Sequence, residues 1–145
     1  LDGSVSYDTS GQWGGLIVLG NATTNFGGVA QVEGIPADND QASYGGDDDT
    51  DSSGILRYVS VRHGGAELGA ANEINGITLA GVGSGTTIEN VEVVSNLDDG
   101  IEFFGGAVSV INAVVAFCGD ESTSGRGGFD LDADIKFTEA QAFGT

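Results

Sequence analysis

The chain of 145 residues has very little positive charge: four Lys and Arg stand against 22 Asp and Glu, for a formal net charge of −18. That deficit excludes nucleic acid and anionic membranes as partners, since both need a basic surface. No apolar stretch reaches the length of a membrane span, so direct membrane insertion is not expected. A single cysteine, Cys118, rules out an intramolecular disulfide. It lies in the apolar run 113–118 and reads as a small core residue. There is one proline, Pro36, and one histidine, His63. No nucleophile elbow, phosphate loop or zinc spacing is found. A sustained 3.6-residue pattern is also missing, which argues against long helices.

Glycine, by contrast, is abundant at 26 residues and has no three-residue period. Such a load suits many tight turns rather than collagen. Hydrophobic residues make up 39%, enough for one domain with a real core. The acids have two readings. They bind divalent cations through carboxylate oxygen, or they solvate a salt-adapted surface.

Three segments repeat. Leu56–His63 is followed by Asn75-Gly76-Ile77-Thr78-Leu79, Ile88–Ser95 by Asp99-Gly100-Ile101-Glu102-Phe103, and Val110–Phe117 by Gly127-Gly128-Phe129-Asp130-Leu131. The steps between first members are 32 and 22 residues, the longer one carrying a polar insertion over 64–73. Val91-Glu92-Val93 and Ile101-Glu102-Phe103 alternate with period two, as half-buried strands do. Repeats of this length cannot bury an apolar face alone and must stack. The predicted fold is therefore all-β: a right-handed, single-stranded parallel β-helix with long loop insertions. Coils are expected near 11–20, 54–85, 86–106, 107–133 and 134–145, with a polar loop over 21–53, as a section of a longer solenoid. Asn90 and Asn112 fall at one place in successive coils, a tight turn where Asn tolerates left-handed backbone and bonds a stacked copy of itself. Tyr58 breaks that ladder at its first rung.

Several strings carry a family likeness: Gly11-Gln12-Trp13-Gly14-Gly15-Leu16-Ile17-Val18-Leu19-Gly20-Asn21-Ala22, Tyr44-Gly45-Gly46, Leu56-Arg57-Tyr58-Val59, Asn72–Leu79 and Asp98–Gly106. The chain resembles secreted or surface β-helix proteins of Bacteroidetes-type bacteria, within the pectin-lyase-like superfamily. The resemblance implies the fold and an extracellular or cell-surface address. Members often show Gly-Asp-Asp before an inward Phe and Asp-x-Asp. Here that stretch reads Gly119-Asp120-Glu121, an insertion, then Phe129-Asp130-Leu131-Asp132.

The first candidate site is an acidic ladder. Asp98 and Asp99 hold one turn and Asp120 and Glu121 the aligned turn one coil later, with Thr78, Glu102 and Asp130 stacked outward beside them. Carboxylates about 4.8 Å apart repel unless a cation is shared, and calcium would relieve that. A second candidate is the loop Asp47, Asp49 and Asp51, which has the x-spaced oxygens of a calcium loop but Ser60 at its twelfth position. The plain reading of both is a solvated acidic surface. As an alternative, Asp98 and Asp99 in Asn96-Leu97-Asp98-Asp99-Gly100 resemble the acidic motif of polygalacturonase-like hydrolases, with His63 assisting. Chain order disagrees, since His63 precedes the acids. Lyase chemistry would have to draw its base from Arg57, Arg62, Arg126 or Lys136. The expected role is thus a non-catalytic structural or adhesive β-helix, self-associating end to end and cation-stabilised. Its partners would be copies of itself, other surface proteins or surface glycans. The alternative is a carbohydrate-binding or polysaccharide-degrading β-helix. Trp13, Phe103, Phe104 and Phe117 are expected in the core stack, with Phe104, out of phase with Phe103, the one open to doubt.

Overall fold

A computed structural model describes residues 4–33, 35, 36, 38–69, 72–119, 129–131 and 138–143. In chain order the strands are β1 (Leu16–Leu19), β2 (Ala30–Gln31), β3 (Ser43–Tyr44), β4 (Ile55–Arg57), β5 (Ser60–Arg62), β6 (Glu67–Gly69), β7 (Asn72–Glu73), β8 (Ile77–Ala80), β9 (Thr87–Val94), β10 (Ile101–Phe104), β11 (Val110–Ala116), β12 (Phe129–Leu131) and β13 (Thr138–Phe143). Two parallel sheets run the length of the stack. The first has the order β1-β8-β10-β12 and the second β13-β11-β9-β4, with β5 also on β9. Each coil gives one strand to the first sheet and then one strand, or a strand pair, to the second. This is the parallel β-helix that the repeat predicts.

The registers match the aligned segments. Leu56 pairs with Ile88 and Ile88 with Val110, while Ile77 pairs with Ile101 and Ile101 with Phe129. The interior is a column of apolar side chains from both sheets. Ile77, Leu79, Ile101 and Phe103 face Ile88, Val91, Val93, Val110 and Val115. Each such fully buried side chain contributes about 1.5–3 kcal/mol relative to exposure.

The strands of the second sheet solve a parity problem. Ile88 and Val91 both point inward, as do Val110 and Ala113, although the members of each pair are three positions apart. Strict alternation would send one of them to solvent. The intervening turn residue takes left-handed backbone and resets the phase: φ is 53° at Asn90, 56° at Asn112 and 56° at Tyr58. The amide Nδ2 of Asn112 donates to Asn90 Oδ1 at 3.1 Å, so the expected ladder is present. A second left-handed column, His63, Ser95 and Phe117, ends the same strands five residues on. Close coil-to-coil packing requires glycine at the entry to the first sheet. A Cβ on Gly15, whose φ is 128°, would lie 2.3 Å from Asn75 O.

The insertion over 21–53 differs from the plain polar loop expected. It contains the antiparallel pair β2–β3 and a single 3-10 turn, Asp40–Ala42, started by Asn39, whose side chain accepts from Gln41 N. Val32, Tyr44 and their neighbours Ala30 and Ile35 pack onto Ala80, Ile17, Leu19 and Phe104. Sparse apolar residues in a polar sequence are enough to dock it, because they meet the outward apolar positions of the first sheet. The insertion over 64–73 carries the short antiparallel pair β6–β7. Two of the aromatic expectations are corrected. Phe103 is in the core, but Trp13 is 44% and Phe117 40% exposed. Trp13 Nε1 donates to Arg62 O, and Phe117 stacks on Tyr7 at 5.2 Å. Phe104 is half-buried against Tyr44. Cys118 is half-buried at the margin of the core rather than inside it.

Candidate functional site

The outer face of the first sheet is largely closed. Thr78 is 2% and Ala80 0% exposed. The predicted outward stack of Thr78, Glu102 and Asp130 is in register at the backbone. Its first member, however, is buried rather than solvent-facing. Asn75 Nδ2 donates to Glu102 Oε2 and, at 3.4 Å, to Thr78 Oγ1. Glu102 thus has a local amide partner.

The other acids also have structural work. Asp49 Oδ1 accepts from both the amide and the hydroxyl of Thr23, at 2.9 and 2.6 Å. Those two bonds hold its carboxyl below the usual range. Asp51 Oδ2 accepts from Asn21 N, and its carbonyl accepts from Gly85 N. The acid run therefore ties the insertion to the coils. Among the described residues, Asp47, Asp49 and Asp51 included, no group of three or more His, Cys, Asp or Glu is placed to hold a metal. In this loop of calcium-like spacing, the Asp49 and Asp51 carboxylates accept from backbone amides and the Thr23 hydroxyl. Asp98 and Asp99 are half-buried in the turn before β10, and the Asp99 carbonyl accepts from Gly76 N and Asn96 Nδ2, both at 2.9 Å. Asp120 and Glu121, the other half of that proposed ladder, lie outside the described residues.

His63 sits beside the same turn, because Leu97 N donates to Gly64 O. Its ring is turned elsewhere: Nδ1 is 2.7 Å from Thr9 O. The fold thus brings the His63 and Asp98–Asp99 backbones into neighbouring coils while the imidazole anchors the N-terminal segment. Nearby, Tyr7, Asp8, Asn96, Leu97, Phe117 and Cys118 line a cavity of about 210 Å³. Burial pushes the Cys118 thiol up, with Asp99 adding to the effect. A protonated, half-buried thiol is a poor nucleophile.

The open surface is on the second sheet. Tyr58, Ser60, Asn90, Glu92, Asn112 and Val114 line a groove of about 400 Å³ across β5, β9 and β11. Its floor is polar and ordered. Ser60 Oγ donates to Glu92 Oε1 at 2.6 Å, and Arg62 Nη2 donates to the same oxygen at 2.5 Å. Ser60 and then Arg62 keep the Glu92 carboxyl below its ordinary value, so it is ionised at neutral pH. Tyr58 stands over this floor, 82% exposed. In the sequence Tyr58 stands out only as a break in the Asn ladder. That break was the available signal for this groove.

Residues 3–142 match the family model described as a pectate-lyase like beta helix domain. The chain belongs to that family. No curated protein and no solved structure matches it. Membership in the pectate-lyase-like β-helix family agrees with the parallel sheets and supports the pectin-lyase-like superfamily named from the sequence. No helix among the described residues is long and apolar enough to cross a membrane.

Proposed function

We propose that this pectate-lyase-like β-helix is a non-catalytic structural and adhesive module that works outside the cell. The observation that carries the reading is the contrast between its faces. The outer face of the first sheet is covered by the chain's own insertion, while the second sheet presents Ile55, Tyr58, Ile111 and Val114 to solvent. Exposed apolar and aromatic side chains around a polar groove make a contact surface. The acidic charge keeps such a module soluble and directs it away from polyanions. Immobilised protein should retain bacterial envelope fragments or a second copy of itself, read by surface plasmon resonance and sedimentation. Absence of both in the wild type would remove the adhesive reading.

Family membership favours one second reading, polysaccharide cleavage with Asp98 and Asp99 as the acids. It predicts release of new reducing ends from a polysaccharide, abolished by Asp99→Asn. The engagement of the His63 ring with Thr9 supports the non-catalytic reading over this one.

A further inference from the structure

Three equivalent turn positions divide the strands of the second sheet. The flanking registers, Arg57 with Glu89, Ser60 with Glu92, Glu89 with Ile111 and Val91 with Ala113, place Tyr58, Asn90 and Asn112 in one column. All three have left-handed backbone, with φ between 53° and 56°. Asn adopts this conformation at little cost because its short polar side chain bonds locally, whereas a bulky aromatic is strained there. Two rungs obey the local rule and the third breaks it. A residue kept against local preference is a pointer to function when nothing in the fold uses it.

Nothing among the described residues uses the Tyr58 side chain. In the neighbouring left-handed column the two ring-bearing residues have partners: His63 bonds Thr9 O and Phe117 stacks on Tyr7. The Tyr58 ring is 82% exposed, with no ring contact and no hydrogen bond from its hydroxyl. Beneath it, Asn90 accepts from Asn112, which leaves the Asn90 amide nitrogen an open donor at the groove. Glu92 supplies an ionised acceptor, held in place by Ser60 and Arg62. The groove therefore offers an aromatic face, amide groups repeated at the coil spacing of about 4.8 Å, and a fixed carboxylate.

We infer that this groove is a binding subsite for an uncharged glycan, with Tyr58 as the platform on which a sugar ring stacks. The C–H face of a pyranose packs on an aromatic ring, and its hydroxyls exchange hydrogen bonds with amide and carboxylate groups. A sugar hydroxyl can donate to Glu92, whereas a uronate carboxylate brought near it would meet a like charge. The net charge of −18 adds to that discrimination against acidic sugars. One sugar unit in an extended chain is close in length to one coil, so a glycan lying along the stack meets the Asn90 and Asn112 amides in turn. The inference rests on the adhesive reading and gives its surface a ligand.

The test uses the full chain and three neutral hexasaccharides, of β-linked glucose, xylose and mannose, with hexagalacturonate as the acidic comparison. Isothermal titration should saturate with at least one neutral oligomer and bind hexagalacturonate more weakly. Tyr58→Asn should weaken that binding by about tenfold or more, while its melting temperature stays level or rises, because Asn suits the left-handed turn. Separation of the two readouts distinguishes a ligand platform from a structural residue. Tyr58→Trp should bind within a few-fold of wild type, since the stacking face is kept. Four results overturn the inference: no saturation by any neutral oligomer, unchanged affinity in Tyr58→Asn, a lower melting temperature in that variant, or preference for the acidic oligomer. If Tyr58→Asn instead changes only self-association, the groove belongs to a second copy of the chain, and the inference also falls. Retention of envelope fragments by both wild type and Tyr58→Asn would leave the adhesive reading standing without this subsite.

Discussion

The two sheets are built from the same repeat, yet their outer faces have opposite fates. On the first, Leu19, Ala80 and Phe104 occupy one outward column and are covered by Tyr44, Val32 and Ile35. On the second, Ile111 and Val114 point outward and stay in contact with water. The difference is not one of hydrophobicity alone, since both faces carry apolar residues. It comes from where the chain inserts: the long excursion leaves directly after β1 and folds back over its own sheet. An open face on a β-helix is therefore evidence of use only after the covered face has been identified.

The contrast can be broken most directly by placing a polar group on each face. Ala80→Asp puts an unpaired carboxylate under the insertion and should cost about 3 kcal/mol or more in urea unfolding. Ile111→Thr on the open face should stay within about 0.5 kcal/mol. Similar losses at both sites would mean that the insertion does not seal the first sheet. A second comparison uses glycines at the two ends of the excursion. Gly20→Ala meets Gly81 O at 2.5 Å and should lose about 1–3 kcal/mol by overpacking. Gly54→Ala meets no atom within 4 Å, so only its φ of 109° is penalised and a smaller loss, about 1 kcal/mol, is expected.

Within the open face, the turn column gives effects of opposite sign. Asn112→Ala removes the bond to Asn90 and strains a left-handed residue, for an expected loss of about 1–2 kcal/mol. Tyr58→Asn should be neutral or stabilising, as a thermal melt will show.

The smallest effect is acid sensitivity, and it should appear on both sides. Asp49, which fastens the insertion, and Glu92, in the groove, each have a carboxyl held below its ordinary value by hydrogen bonds. A depressed folded-state value means that the stabilisation is complete above the ordinary carboxylate range and fades as pH falls through the folded-state value. Melting temperature against pH should therefore fall less steeply on the acid side in Asp49→Asn and Glu92→Gln than in the wild type. A parallel curve for Glu92→Gln would show that its bonds to Ser60 and Arg62 do not couple to folding.

Much of this was legible in the residues themselves. Repeats at 22 and 32 residues, period-two strands and stacked Asn turns specify coils, their registers and the parallel sheets, because these depend on neighbours one coil away. The acidic candidates were less legible. Asp49 and Asp51 have a metal-like spacing, but carboxylates also satisfy turn amides, and spacing cannot separate the two uses. The fold sets His63 beside the Asp98–Asp99 turn, yet its ring direction depends on Thr9, 54 residues away. Trp13 and Phe117 were expected inside on composition, but left-handed backbone at Phe117 and a bond from Trp13 to Arg62 O hold them at the surface.

The sequence by itself determined the coil, its inward residues and the odd rung at Tyr58, since each follows from short-range pattern and turn chemistry. The tertiary structure alone decided which face is open and which side chains still have a free valence. Those properties depend on where a 33-residue excursion lands and on long-range hydrogen bonds, and no local pattern encodes them.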